Sequence, residues 1–166
     1  NMTNLSILEA SRNILTGPLP VGFGALSNLK SLDLSYNNFS GVLLKEHFAS
    51  LGKLELLDLS HNNLSGMLLK EHFASLGNLE VLDLSYNNFN SVKEQFASLG
   101  KLEHLDLSYN KFSGVLFKKQ FASLGKLEFL DLSHNNFSGV MLKEYFASLG
   151  NLKSLDLSYN KFSGVL

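Results

Sequence analysis

The chain has no cysteine and no tryptophan, only two prolines and two threonines, and no long apolar run. Without cysteine there is no disulfide staple and no thiolate metal site. A membrane helix needs roughly 18 or more consecutive apolar residues, so none lies within this chain, and its start does not have the build of a signal peptide. Excess charge of one sign is missing too: 14 Lys+Arg against 15 Asp+Glu leave a formal net charge of −1. No whole-chain field therefore recruits nucleic acid or an anionic membrane. The chain opens on Asn1 instead of methionine, which points to a mature or excised piece. With 45% hydrophobic and 17% charged residues, the composition is globular.

What is present is repetition. LKSLDLSYNNF, from Leu29, recurs as LELLDLSHNNL, LEVLDLSYNNF, LEHLDLSYNKF, LEFLDLSHNNF and LKSLDLSYNKF, and a divergent copy, LSILEASRNIL, begins at Leu5. The first leucines of the copies are Leu5, Leu29, Leu54, Leu79, Leu102, Leu127 and Leu152, spaced by 24, 25, 25, 23, 25 and 25 residues. A fixed period of this length means a solenoid, in which each unit buries its apolar layer only against its neighbours. Leu32-Asp33-Leu34-Ser35 has strand period, leucines inward and Asp and Ser outward, so the copies stack into a parallel sheet with strands about 4.8 Å apart. Asn13, Asn37, Asn62, Asn87, Asn110, Asn135 and Asn160 form an inward column whose amides serve the backbone of the turn after each strand. A column of Phe39, Phe89, Phe112, Phe137 and Phe162, with Leu15 and Leu64, follows and reads as core. On the return side Leu44, Phe48 and Leu51 fall at i, i+4 and i+7 with Gly52 as a stop, which predicts a short helix or helical turn. Phe73, Phe96, Phe121 and Phe146 repeat the position of Phe48.

The pattern L-x-x-L-x-L-x-x-N-x-[LF] is the leucine-rich-repeat signature, and LDLSxNxFSG resembles the plant-specific class found in receptor kinases, receptor-like proteins and polygalacturonase-inhibitor proteins. The first copy, ILTGPLPVGFGAL, carries the fuller form through Gly17, Pro18 and Pro20; later copies replace its proline motif with VLLKEHFASL and variants. The resemblance covers essentially the whole chain. It implies an extracellular or cell-surface recognition module for peptides, proteins or glycans, with a co-receptor as a further partner, inside a longer membrane-anchored or secreted protein. The cysteine-containing caps of the family are not in the sequence, so residues 1–166 are expected to form one array of about seven repeats, uncapped at both ends.

The expected fold is an α/β repeat: a parallel sheet on the concave face, short helices or helical turns on the convex face. Asp33, Asp58, Asp83, Asp106, Asp131 and Asp156 form an outward column about one strand spacing apart. Glycosidases use paired carboxylates, but they need a cleft that raises one pKa by desolvation, and an open sheet is expected to offer little of that. His61 and His134 share a column with Tyr36, Tyr86, Tyr109 and Tyr159; His47 and His72 fall on the convex side and His104 on the concave strand, with no zinc-like spacing. There is no nucleophile elbow and no phosphate loop. No catalytic residue, metal or cofactor is therefore assigned, and the chain is read as not an enzyme.

Of 15 acidic residues, 11 fall on the strand stretch: the six aspartates with Glu9, Glu55, Glu80, Glu103 and Glu128. Lys45, Lys70, Lys93, Lys118, Lys119 and Lys143 fall on the return side, which predicts an acidic inner and a basic outer face. One outward strand column varies while its neighbours hardly change: Ser31, Leu56, Val81, His104, Phe129 and Ser154. The candidate ligand-binding residues are Leu56, Val81, His104 and Phe129, rimmed by Asp83, Asp106, Tyr86 and Tyr109. N-x-[ST] triplets at Asn1, Asn4, Asn38, Asn63 and Asn136 are candidate glycosylation sites. Other functions compatible with the array are end-to-end self-association into filaments and secreted enzyme inhibition. Ice binding is disfavoured by the scarcity of threonine and the acidic face.

Overall fold

The computed structural model describes residues 2–92, 96–141 and 143–164, without the side chain of Lys118. Seven three-residue strands, Ile7–Glu9, Ser31–Asp33, Leu56–Asp58, Val81–Asp83, His104–Asp106, Phe129–Asp131 and Ser154–Asp156, form one parallel sheet in chain order. Register is strict: Leu8, Leu32, Leu57, Leu82, Leu105, Leu130 and Leu155 are successive partners. The strands are short because the Leu-x-Leu alternation lasts only three or four residues before the chain must turn inward. Leu57, Leu82, Leu105 and Leu130 are fully buried, and so are Leu59, Leu84 and Leu132 two positions on. Each such burial is worth roughly 1.5 to 3 kcal/mol.

The asparagine column closes each turn. Asn87 Nδ2 donates to the carbonyls of Leu59, Leu84 and Ser85 at 2.9, 3.2 and 3.1 Å, and its Oδ1 accepts from Leu64 N at 3.0 Å. One side chain thereby satisfies four backbone groups on two repeats, and the same set recurs at Asn37, Asn62, Asn110, Asn135 and Asn160. The residue before each asparagine has positive φ: Arg12, Tyr36, His61, Tyr86, Tyr109, His134 and Tyr159 lie between 50° and 55°. Seven non-glycine residues in the left-handed region persist because the asparagine beside each of them fixes the turn.

Beyond the turn the sequence gives no strand signal, yet a second parallel layer forms. Thr16–Gly17, Asn38–Val42, Asn63–Leu68 and Asn88–Val92 make one sheet; Ser113–Val115, Asn136–Val140 and Lys161–Ser163 make another. The split falls after the 23-residue repeat, where Asn90-Ser91 stands in place of Ser-Gly. Gly66 sits at φ 89°, and the register slips between it and Met67 against that repeat. The phenylalanine column is core as expected, with Phe89–Phe112 and Phe112–Phe137 centroids 6.4 and 5.9 Å apart.

The convex side is built from short 3-10 turns, including Lys45–His47, Lys70–His72 and Lys118–Gln120. Their periodicity differs from the expected helix. Leu43 is the buried leucine, 2% exposed, whereas Leu44 points out at 42%. The segment before the turn is extended, with Leu44 at φ −123°, so adjacent residues face opposite ways. His47 and His72 are buried, and their Nδ1 atoms accept from the backbone N–H of Leu44 and Leu69 at 3.0 and 3.2 Å. Gln120 does the same for Phe117 through Oε1 at 2.9 Å. These histidines are turn caps, and burial holds both pKa values below 6.5. Lys93 and Asn1 lie outside the described residues.

Candidate functional site

On the concave face four rows run across the array, because parallel in-register strands place identical repeat positions side by side. The first, at the strand entry, runs Lys30, Glu55, Glu80, Glu103, Glu128, Lys153. Lys30 pairs with Glu55 at 3.3 Å and Lys153 with Glu128 at 2.7 Å. Lys30, Lys53 and Lys101 line a groove with Glu55 and Glu80. The expected acidic inner face is thus corrected at this edge: lysines on the same side neutralise part of the glutamate row. An N-L-E or K-L-E triplet shows the glutamate, but only stacking brings the neighbouring repeat's lysine beside it.

The second row is the variable one, and the structure assembles it as expected. Ser31, Leu56, Val81, His104, Phe129 and Ser154 are successive partners. It also takes in Ile7, 56% exposed, which the divergent first copy concealed. His104 and Phe129 stack in parallel, with ring centroids 4.2 Å apart and planes within 5°. Burial holds the His104 pKa below 6.5 against the opposing pull of Asp106, Asp131 and Asp58. The platform is therefore a neutral, flat ring pair beside Leu56 and Val81.

The third row holds the aspartates. Each Oδ1 accepts from the backbone N–H of the serine two residues on, at 2.9 Å for Asp83–Ser85 and Asp106–Ser108. Among the described residues no ion pair involves an aspartate of this row. Burial pushes Asp83 up to about 6, with Asp106 and Asp58 adding to the shift and the Ser85 hydrogen bonds opposing it. Asp106 is raised by the same cause. Here the expectation of little desolvation is overturned: flanking rows shield mid-array carboxylates from water. At Asp156 burial is slight and the Ser158 hydrogen bonds lower the pKa instead.

The fourth row is a continuous ladder of rings, which the sequence showed only as a shared column. Tyr36–His61, His61–Tyr86, Tyr86–Tyr109, Tyr109–His134 and His134–Tyr159 stack with centroids 3.9, 4.0, 4.0, 3.9 and 4.0 Å apart. The Arg12 guanidinium takes the place of a ring on Tyr36, 4.4 Å from its centroid. Left-handed backbone at each rung turns these side chains to one edge of the concave face. Tyr86, Tyr109, His134, Tyr159 and Lys111 line a shallow groove of about 550 Å³ there. All eight candidate residues, Leu56, Val81, His104, Phe129, Asp83, Asp106, Tyr86 and Tyr109, thus lie on one face.

Among the described residues, no three His, Asp or Glu side chains are placed to hold a metal ion, and no helix is long and apolar enough to cross a membrane. Asn4, Asn38, Asn63 and Asn136 are exposed, the last three at the start of second-layer strands.

The sequence matches the family profile described as Leucine rich repeat over residues 3–64, 66–112 and 92–137. A second profile of the same description matches residues 53–76 and 151–166. No curated protein is similar enough in sequence to count as a match. Among solved structures, the chain is similar to the ectodomain of the plant membrane receptor kinase GASSHO1/SCHENGEN3 from Arabidopsis thaliana, determined in complex with CASPARIAN STRIP INTEGRITY FACTOR 2. The TM-score is 0.90 and the identity 36%, over 99% of this chain and 19% of that one. PEPR1, determined with AtPEP1, gives TM-score 0.84 and 30% identity, over 99% of this chain and 22% of that one. The Arabidopsis receptor kinase HAESA, in complex with the peptide hormone IDA and the co-receptor SERK1, gives 0.81 and 30%, over 99% of this chain and 27% of that one. The chain thus spans about a fifth to a quarter of the length of these ectodomains. It belongs to the leucine-rich-repeat family, in the form that builds the ectodomains of plant membrane receptor kinases.

Proposed function

We propose that this array is a recognition segment of an extracellular or cell-surface receptor-like protein and binds a peptide or protein ligand through its concave face. The observation that carries the reading is the second row. Leu56, Val81, His104 and Phe129 form one continuous half-buried strip on an otherwise polar sheet, at the strand position that varies from repeat to repeat. HAESA was determined with the peptide hormone IDA and the co-receptor SERK1, which supports a peptide as the ligand class and a co-receptor as a second partner. Exposed Asn4, Asn38, Asn63 and Asn136 fit a glycosylated extracellular protein. Replacing Phe129 and His104 with serine is expected to weaken a partner by about 1 to 3 kcal/mol while the array stays folded. Isothermal calorimetry with a display-selected peptide measures it. Unchanged affinity, together with loss on substituting convex Lys45 and Lys119, would reverse the assignment.

We also propose that the chain is not an enzyme. Six like carboxylates each follow the same D-x-S turn pattern, and Asp83 and Asp106 are both shifted upward, so they do not divide into an acid and a base. Turnover of glycan or ester substrates is expected to stay at background; turnover abolished by Asp83→Asn or Asp106→Asn would sink this.

A second reading rests on Leu155, which is 39% exposed while Leu105 and Leu130 at the same repeat position are fully buried. Taken alone, the 166-residue polypeptide presents this apolar side chain beside an unpaired strand edge, and the opposite edge offers Ile7–Glu9. Head-to-tail association is expected, because the two edges are different surfaces. Sedimentation velocity over a dilution series should show concentration-dependent growth; a single monomer peak throughout would contradict it.

A further inference from the structure

The aspartate row lies between two walls. On one side, two residues earlier in each strand, stands the strip of Leu56, Val81, His104 and Phe129; on the other runs the ring ladder of His61, Tyr86 and Tyr109. The carboxylates make themselves felt on both walls: Asp106 and Asp58 act on His104 and on His61, and Asp106 also acts on Tyr86. The arrangement is a trough with apolar and aromatic sides and a floor of carboxylates that no lysine or arginine among the described residues neutralises.

Resting on the reading of the concave face as the recognition surface, we propose that this trough binds a basic, apolar-flanked peptide segment. A lysine or arginine of the ligand lays its aliphatic stem between His104–Phe129 and Tyr86–Tyr109 and sets its cationic end on Asp83 and Asp106. A neighbouring apolar residue of the ligand rests on Leu56 and Val81. Such side chains pair an apolar stem with a charged end, which is the profile of this cross-section. The chain contains its own precedent: Arg12 places its guanidinium flat on the ring ladder, 4.4 Å from the Tyr36 centroid. Mid-array carboxylates carry the largest unfavourable burial, with Asp83 at about 6, so an incoming cation is favoured there over the water-exposed Asp156. A bare metal cation or a polyamine would leave Leu56 and Val81 uncovered. An acidic peptide would meet repulsion along the whole floor.

The test uses a positional-scanning library of acetylated, amidated heptapeptides, which have no terminal charges, read by fluorescence anisotropy on the whole chain. Because Asp83→Asn and Asp106→Asn each create an N-L-S triplet, all proteins are made in a host without N-glycosylation. The best binders are expected to carry Lys or Arg next to Leu, Ile or Phe. The double variant Asp83→Asn/Asp106→Asn should weaken them about ten-fold or more while leaving analogues with Gln at the basic position unaffected. If the best binders are neutral or acidic yet depend on Phe129 and His104, the cationic inference falls and the concave reading stands. Competition by spermidine or calcium ions at concentrations as low as the peptides would show a cation site only and overturn the inference. If nothing binds, or binding survives Phe129→Ser and His104→Ser, the concave reading itself falls.

Discussion

Asn87→Ala is expected to cost about 3 to 5 kcal/mol, because a single truncation strips partners from four backbone groups in a closed interior. Asn87 is 7% exposed, and Leu64, whose N–H it accepts, is fully buried. The carbonyls of Leu59 and Leu84 lose the Nδ2 donor as well, and both residues are fully buried, so water does not replace it freely. The backbone consequence is larger than the hydrogen bonds alone, because Tyr86 stays in the left-handed region only while its neighbour fixes the turn. Asn13 provides the contrast: it is exposed, and among the described residues its Nδ2 bonds the carbonyls of Ala10 and Ser11 in its own turn and nothing on a neighbouring repeat, so Asn13→Ala should cost less, about 1 to 2 kcal/mol. Urea unfolding of the two variants measures the difference. Equal losses would mean that the asparagine column does not act by satisfying buried backbone.

Asp83→Asn should stabilise the array, by up to about 3 kcal/mol at neutral pH and by nothing in acid. The amide keeps an oxygen to accept from Ser85 N and removes a charge that burial disfavours. The sign follows from the raised value. A carboxyl at about 6 in the folded chain and 3.8 otherwise contributes its stability in full below 3.8 and loses it as pH rises through 6. The gain of the variant over the parent should therefore grow from zero below pH 3.8 to a plateau above pH 6. His47, His72 and His104, held below 6.5 by burial, work the other way: what they contribute is present above 6.5 and lost as pH falls. Taking the difference between variant and parent at each pH cancels them. Asp156→Asn provides the contrast, because the Ser158 hydrogen bonds lower the Asp156 pKa, and its substitution should give no gain at neutral pH. Thermal melts from pH 3 to 8 decide the matter; a gain that is flat with pH would show that Asp83 is not held up by burial.

The contrast between Asp83 and Asp156 also shows where the sequence stops being informative. Identical D-x-S triplets carry no sign of opposite pKa shifts, because the cause is the number of repeats stacked on either side. Period and register were legible: the leucine and asparagine spacings alone determine the parallel sheet, the inward columns and the outward row from Ser31 to Ser154. Leu43 and Leu44 were not separable, since both i+4 and alternation fit so short a run, and only the extended backbone before the turn decides between them. His47 read only as a residue of the convex side, because a cap is recognised by the N–H it accepts, that of Leu44, and not by composition. The same limit applied to the ring ladder: a column of Tyr and His at one repeat position predicts proximity, while the 3.9 to 4.0 Å stacking depends on the left-handed turn at every rung.

The central claim is that ligands meet the concave strip and not the convex turns, and methyl NMR of this 18.4 kDa chain tests it most directly. Leu56 and Val81 report the concave strip, while Val42 and Val140, exposed in the second-layer strands, and Leu44, exposed at the start of a convex turn, report the surfaces away from it. Titration with the pooled acetylated heptapeptides should shift the Leu56 and Val81 methyl signals and leave Val42, Leu44 and Val140 in place. Shifts at Val42, Leu44 and Val140 with Leu56 and Val81 unmoved would contradict the account.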